Sequence, residues 1–205
     1  MIAKTFFGFE EILAEELKKL GAQEVEQGVR MVSFNGDKGF MYKANLSLRT
    51  ALKILKPIYS FKAINEQALY KGISGVNWSK YLNANQTFVI DATVHSTYFN
   101  HSEFVSQKCK DAIVDQFRER TGQRPSIEKI HPDLRINIHI DKDQVSVALD
   151  TSGNSLHQRG YRLATNIAPI NEVLAAGILL LSGWTVKAIS WIQCVVRELF
   201  WRKPQ

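Results

Sequence analysis

The sequence predicts a two-part chain of mixed α+β and α/β class, on three observations. Over the first 60 residues, short alternating stretches and stretches of helical spacing succeed one another as β-α-β-α-β. A second round of helix, strand and helix begins at Asn65 and ends in a hairpin over 134–150. The 205 residues, 45% apolar and 22% charged, suffice for one domain or two small ones at roughly 100 to 200 residues each. Twelve Gly, five Pro and no low-complexity tract exclude collagen-like, linker-dominated and disordered chains.

Each element has its own justification. A short apolar stretch, Ile2 to Phe7, precedes Phe9 to Leu20, where Phe9, Ile12, Leu13, Glu16, Leu17 and Leu20 keep helical spacing and Gly21 stops the helix. Glu24 to Phe34 reads as one strand, or as two broken at Gly28. Asp37 and Lys38 open a helix running to Leu48, and Ile54 to Ile64, interrupted by Pro57, looks extended. A split β-α-β sheet covered on one face by two helices satisfies this order. Asn65 caps a short helix closed by Gly75, and Thr87 to Val94 is the clearest strand. Ser102 is a good N-cap for a helix ending at Gly122. Leu134 to Ile140 turns inward at every second residue, with Arg135, Asn137 and His139 outward; Asp141 to Asp143 makes a turn, and Gln144 to Asp150 returns. Leu156 to Leu163 adds a short extended piece, and Asn166 to Leu181 reads as an apolar helix capped by Asn166 with Pro169 in its first turn.

The net charge of +6 suggests nucleic acid, but it is unevenly spread. Residues 1–60 hold 9 basic against 7 acidic residues, residues 61–155 hold 11 against 11, and residues 156–205 hold 6 against 2. Charge alone is therefore weak evidence, and a local basic face is needed. Two cysteines, Cys109 and Cys194, make no disulfide framework, no signal peptide stands at the start, and the longest apolar run has nine residues. A soluble, cytoplasmic protein without membrane contact is expected.

No Gly-x-Gly and no Gly-Lys-Ser/Thr occurs, so neither glycine-rich phosphate loop is present. The five histidines show no zinc-ligand spacing, and no metal site is expected. No pair of carboxylates and no Ser/His/Asp arrangement suggests catalysis. Tyr98, Phe99, Asn100 and His101 form an aromatic and polar loop just before a helix N-terminus, which offers free N–H groups to phosphate. Along that helix Lys108, Lys110, Arg118 and Arg120, then Arg124, would follow a phosphate backbone, with Tyr98 or Phe99 stacking on an unpaired base. Glu103, Asp111, Asp115 and Glu119 interleave with those cations, so an ordinary solvated face is the alternative. Arg159 and Arg162 flank Gly160 and Tyr161 in a second basic and aromatic patch, for which a turn or an edge strand is the alternative.

Three runs carry a resemblance: HSEFVSQKCKDAIVDQF, PDLRINIHIDKDQVSVALDTSGNSLHQRGYR and APINEVLAAGILLLSGW. Together they resemble the THUMP-domain methyltransferases that modify a guanine of large-subunit ribosomal RNA on its exocyclic amine. The opening TFFGFEEILAEELKKLGA is similar to that family's N-terminal ferredoxin-like domain. The resemblance implies a ferredoxin-like domain over 1–60 and a THUMP RNA-binding domain over 61–155. Residues 156–184 would then be a linker and the first helix of a Rossmann-like catalytic domain missing from this chain. It implies large-subunit ribosomal RNA as partner and S-adenosylmethionine as cofactor of the full-length family, with none in this chain, which is expected to be inactive alone. The helix 166–181, orphaned, would expose an apolar face and favour self-association.

After Trp184 the family would continue Asp-Gly and then Asp-Pro-Met-Cys-Gly-Ser-Gly-Thr, whereas this chain reads TVKAISWIQCVVRELFWRKPQ. Regrouping codons by one base gives Asp without freedom from Trp184–Thr185 and again from Trp191–Ile192. Synonymous codons from Ser190 to Leu199 permit Met-Asp-Pro-Met-Cys-Gly-Ser-Gly-Thr. The expectation is a frameshifted tail over 185–205; an amphipathic helix is the alternative, since Ile189, Ile192, Val195, Val196 and Leu199 recur at helical spacing. Two other functions stay open: a stand-alone RNA-binding adaptor with a real tail helix, and a protein-interaction module. The latter requires Lys108 and Arg118 to be ion-paired to neighbours on their own helix.

Overall fold

In chain order the elements are β1 (Ile2–Lys4), α1 (Glu10–Leu20), β2 (Gln23–Gly28), β3 (Met31–Asn35), α2 (Lys38–Ser47), β4 (Lys53–Lys62), α3 (Glu66–Ser74), a 3-10 turn (Trp78–Lys80), β5 (Thr87–His95), α4 (Ser102–Thr121), β6 (Ser126–Ile127), β7 (Leu134–Asp141), β8 (Gln144–Asp150) and α5 (Glu172–Leu181). The structure, a computed structural model, describes residues 1–160 and 169–183. It divides into a first unit, 1–54 with 154–205, and a second, 55–153.

In the first unit β3 lies between β1 and β2, antiparallel to both. Gly21, at φ +103, closes α1 in the left-handed conformation, its N–H reaching the carbonyls of Leu17 and Lys18. Asp37 caps α2 by accepting the Phe40 N–H at 2.6 Å. Leu13, Leu17, Val32, Phe34, Ala44 and Ile54 are buried in one core. Glu16, on the apolar stripe of α1, is buried because its carboxylate accepts the Thr50 hydroxyl at 2.6 Å, the Thr50 N–H at 3.1 Å and the Arg49 Nε–H at 2.8 Å.

The expected helix over 166–181 is shorter among the described residues. Asn171, rather than Asn166, is its cap, accepting the N–H groups of Val173 and Leu174 at 3.0 and 3.3 Å. Asn166 lies outside the described residues. The helix is not bare: Val173, Ala175, Gly177 and Leu179 are buried, and a Cβ on Gly177 would stand 2.1 Å from the Phe9 ring. A glycine is what lets α5 approach so closely. Ile178 and Leu181 remain exposed. Leu156 to Gly160 forms turns rather than the expected extended piece, with the Leu156 N–H bonded to the Leu52 carbonyl at 2.8 Å.

In the second unit the strand order is β4-β8-β7-β5-β6. β4, β8 and β7 are antiparallel in turn, and β5 is parallel to both β7 and β6. Pro57, which has no N–H to give a ladder, is absorbed at a register shift of β4 between Pro57 and Tyr59. Period-two alternation sends Phe88, Ile90, Ile136, Ile138, Ile140, Val145 and Val147 to one face, where Leu69 and Ile73 of α3 and Val105, Cys109, Ile113 and Phe117 of α4 complete the core. The opposite face presents Asp91, Thr93, Asn137, His139 and Ser146.

Candidate nucleic-acid interface

Because β5 and β7 are parallel neighbours, their carboxyl ends meet, with Thr93 opposite His139 and His95 opposite Asp141. This is the side of an open sheet from which helices leave and where ligands gather. Two contacts tie the loop after β5 to the β7–β8 turn, and a third braces the loop itself. The Lys142 N–H donates to the His95 carbonyl at 2.8 Å, the Ser96 hydroxyl donates to the Lys142 carbonyl, and the Tyr98 N–H donates to the Ser96 hydroxyl at 3.1 Å. The His95 and His139 rings meet edge to face, 5.8 Å between centroids. Tyr98 is thereby held with its ring 55% exposed.

The chain then enters α4. The helix is capped by His101, whose side chain makes no capping bond, so the expected role of Ser102 as N-cap does not hold; Ser102 is already helical. The first N–H groups of a twenty-residue helix therefore have no side-chain acceptor and face the loop that presents Tyr98. A phosphate oxygen suits these groups and the positive end of the dipole, and an unpaired base suits the Tyr98 ring.

Phe99 is a correction. It is only 4% exposed, packed in the core of the second unit, and cannot stack on a base. The adjacent aromatics take opposite sides of the loop, which sequence alone does not resolve.

The four cations of α4 are each engaged. Lys108 pairs with Glu66 of α3 at 3.5 Å, Lys110 with Asp111 at 2.9 Å and Arg118 with Asp115 at 3.3 Å, while Arg120 donates to the Asn77 side chain at 3.0 Å. Asp115 also accepts the Tyr70 hydroxyl at 2.9 Å, joining α3 to α4. The helix holds four basic and four acidic residues and is no continuous positive stripe. Arg124 is exposed just beyond the helix. A twenty-residue helix is about 30 Å long, so Tyr98 and Arg124 stand at opposite ends of it and do not converge.

Arg159 belongs to the first unit and is already committed. Its guanidinium donates to the carbonyls of Leu46 at 2.9 Å and Leu48 at 2.6 Å, satisfying the C-terminal end of α2. Arg162 lies outside the described residues.

His95, His139, Ser96 and Lys142 were absent from the expected site. The outward alternation of His139 was visible in the sequence, but its neighbour His95 follows from parallel β5–β7 pairing, which strand patterns do not announce. Cys109 is buried on the core side of α4, and burial pushes its thiol up to about 12. Among the described residues no group of three His, Cys, Asp or Glu side chains is placed to hold a metal, and no helix is long and apolar enough to cross a membrane.

Comparison with known proteins gives concordant results. Residues 1–55 match the RlmL ferredoxin-like domain and residues 63–150 the THUMP domain. A protein named ribosomal RNA large subunit methyltransferase K/L, from Syntrophotalea carbinolica, is 45% identical over 177 residues, 86% of this chain and 25% of that protein. The putative RNA methyltransferase slr0064 of Synechocystis is 41% identical over 178 residues, 87% of this chain and 46% of that protein. The structure of a possible methylase from Clostridium difficile superposes with a TM-score of 0.77 at 30% identity, covering 89% of this chain and 48% of that one. The chain thus spans between a quarter and a half of the length of these relatives.

Proposed function

From a chain that carries an RlmL-type ferredoxin-like domain followed by a THUMP domain, we infer that this protein is the RNA-binding module of a ribosomal RNA methyltransferase. Its RNA is large-subunit ribosomal RNA, and the parent reaction places a methyl group on a guanine exocyclic amine. The tandem of these two domains, at 45% identity to a relative named for that activity, carries the reading. A cytoplasmic location goes with it.

The contacts are assigned as follows. Tyr98 stacks on an unpaired base beside the uncapped start of α4, while Lys142 and His101 line the same loops. Lys108, Lys110, Arg118, Arg120 and Arg124 supply phosphate contacts along the helix. Their ion pairs do not forbid this: pairs between exposed side chains are worth about 0–1 kcal/mol, so a phosphate can take the carboxylate's place. Arg162 completes the set, whereas Arg159 is assigned to the carbonyls at the end of α2 and not to RNA.

Among the described residues, the crossover from β5 into α4 does not fit S-adenosylmethionine. Glycine-rich turns between a parallel strand and a helix make such cradles, and the turn from β5 into α4, residues 96–101, contains no glycine. Methyl transfer is accordingly assigned no residue. Ile178 and Leu181 leave an apolar strip on α5 for a second copy of the chain; sedimentation velocity tests this, and a monomer at all concentrations refutes it.

The deciding experiment is binding of the full chain to large-subunit ribosomal RNA fragments across a salt series. Affinity should fall linearly in log–log form, with a slope of about 0.7 per single-stranded phosphate engaged. Absence of binding at low salt refutes the reading. One observation favours a second one, a protein-interaction module: Arg118 is paired to Asp115 on its own helix. That reading gains if neither RNA nor single-stranded oligonucleotides bind.

A further inference from the structure

An exposed aromatic and basic surface is formed in the first unit by the turn before α1 and the turn between β2 and β3. The segment Phe6-Phe7-Gly8-Phe9 is a tight turn, closed by the Phe9 N–H on the Phe6 carbonyl at 3.2 Å, with Gly8 at φ +87. Two of its three rings pack together: Phe9 is buried, and Phe6 meets it edge to face at 6.2 Å. The third, Phe7, is 78% exposed.

A second turn stands beside it. β2 and β3 pair as far as Gly28 opposite Met31, leaving Val29 and Arg30 as the two-residue connection. Asn-Gly is the favoured choice there, yet this turn holds Val29, 78% exposed, and Arg30, at φ +57 in the left-handed region. Glu10 ties the two turns together, one carboxylate oxygen accepting the Gly8 N–H at 2.7 Å and the other the Arg30 N–H at 2.8 Å. The Thr5 N–H holds the Arg30 carbonyl at 3.0 Å. These bonds place the Gly8 and Arg30 nitrogens no more than about 8 Å apart. The two tips form one rigid knuckle.

Its charge differs from that of α4. Neither Lys4 nor Arg30 forms an ion pair among the described residues, and both oxygens of Glu10 are spent on backbone N–H groups. Against burial, which raises it, the backbone N–H groups and then the Arg30 charge hold the Glu10 carboxyl below its usual range, while burial, then the Arg30 charge, lowers the Lys4 pKa. An exposed ring, an exposed valine and two unpaired cations on a pre-set frame match single-stranded nucleic acid, which offers a π-face and phosphates together. Resting on the RNA-binding reading above, we propose that this knuckle is a second RNA contact, the Phe7 ring stacking on an unpaired base while Arg30 and Lys4 hold the flanking phosphates. The backbone strain at Arg30 is held in place by Glu10 and Thr5 so that the guanidinium leaves the turn outward.

The test uses the full chain, a large-subunit ribosomal RNA fragment and an unstructured oligonucleotide, with Phe7→Ala, Phe7→Trp, Arg30→Asn and, as control on another exposed face, Tyr42→Ala. Asparagine tolerates the left-handed conformation. Phe7→Ala should weaken binding between about fivefold and a hundredfold at unchanged melting temperature, with Phe7→Trp restoring it. Arg30→Asn should lower the salt slope by about 0.7. A photo-crosslinking benzoylphenylalanine at position 7 should capture RNA. If the parent chain binds RNA and Phe7→Ala binds equally well, the knuckle proposal fails, the RNA-binding reading stands, and the surface docks protein. If the parent binds no RNA, both fail together.

Discussion

Replacing Arg159 separates a structural arginine from an RNA contact. Its guanidinium donates two hydrogen bonds, at 2.9 and 2.6 Å, to the last carbonyls of α2. A hydrogen bond from a charged donor is worth about 1.5–3 kcal/mol when fully formed. Arg159 is half-buried, so solvent competes and the pair together contributes about 2 kcal/mol. Arg159→Ala should then lower the melting temperature by about 4–8 °C for a chain of this size. Arg159→Lys, a point charge without the planar fork, should lower it by about half as much. Circular dichroism melts give the stability, and fluorescence anisotropy against an RNA fragment across a salt series gives the slope. Unchanged RNA slope with the lower melting point is the expected pair of results. An unchanged melting point with a slope smaller by about 0.7 would refute this assignment and make Arg159 a phosphate ligand.

The remaining predictions are briefer. Phe99→Ala should destabilise by about 3–5 kcal/mol, read by urea titration, because it empties a core position, whereas Tyr98→Ala should stay within about 0.5 kcal/mol and still weaken RNA binding; a mild Phe99 variant refutes its core role. Cys109 should resist iodoacetamide at pH 8 in the native chain and react after unfolding, as peptide mapping would show. Its folded thiol stays neutral up to about 12, while an unfolded one ionises near about 8.5, so its contribution to stability is present below 8.5 and is lost as pH rises towards 12. Sequencing the gene across the codons of Trp184 to Leu199 tests the frameshifted tail. The expected bases give Asp-Pro-Met-Cys-Gly-Ser-Gly-Thr when regrouped by one; codons that forbid this reading refute it.

How much of this was legible depended on whether the information was local. Helix stops at Gly21 and Gly122, the helix start at Asp37 and Lys38, the cap at Asn65, and the β7–β8 hairpin were readable, because each rests on residues within a few positions of one another. Glu16 falls on the apolar stripe of α1, and the group that lets it be buried there, Thr50, stands thirty-four residues away. The same distance problem hid the site: His139 and His95 meet only because β5 pairs in parallel with β7. Tyr98 and Phe99 look alike in sequence and differ in the structure by which side of one loop they occupy. Asn166 was a reasonable cap by residue type, but Asn171 holds the N–H groups. Family resemblance supplied the two domain types that composition and spacing did not, and the matches to 1–55 and 63–150 bear it out.

Whether the cations of α4 reach RNA turns on one exposed carboxylate. Asp111 holds Lys110 at 2.9 Å, with both side chains substantially exposed. Asp111→Asn removes that partner at a cost of no more than about 1 kcal/mol of stability. If a phosphate occupies this stretch of helix, the freed ammonium no longer has to exchange partners, and affinity should rise about two- to fivefold at low salt with a steeper salt slope. The change of +1 in net charge would itself raise affinity slightly, so Glu26→Gln on β2, which alters the charge equally at an exposed site in the other unit, is the comparison. Asp111→Asn should exceed it at low salt and converge with it at high salt, where screening removes the advantage. Equal effects of the two substitutions would refute phosphate contacts along the helix. The interleaved acids would then make α4 a solvated wall, and RNA contact would be confined to the Tyr98 loop and the Phe7 knuckle, where no ion pair among the described residues has to be broken.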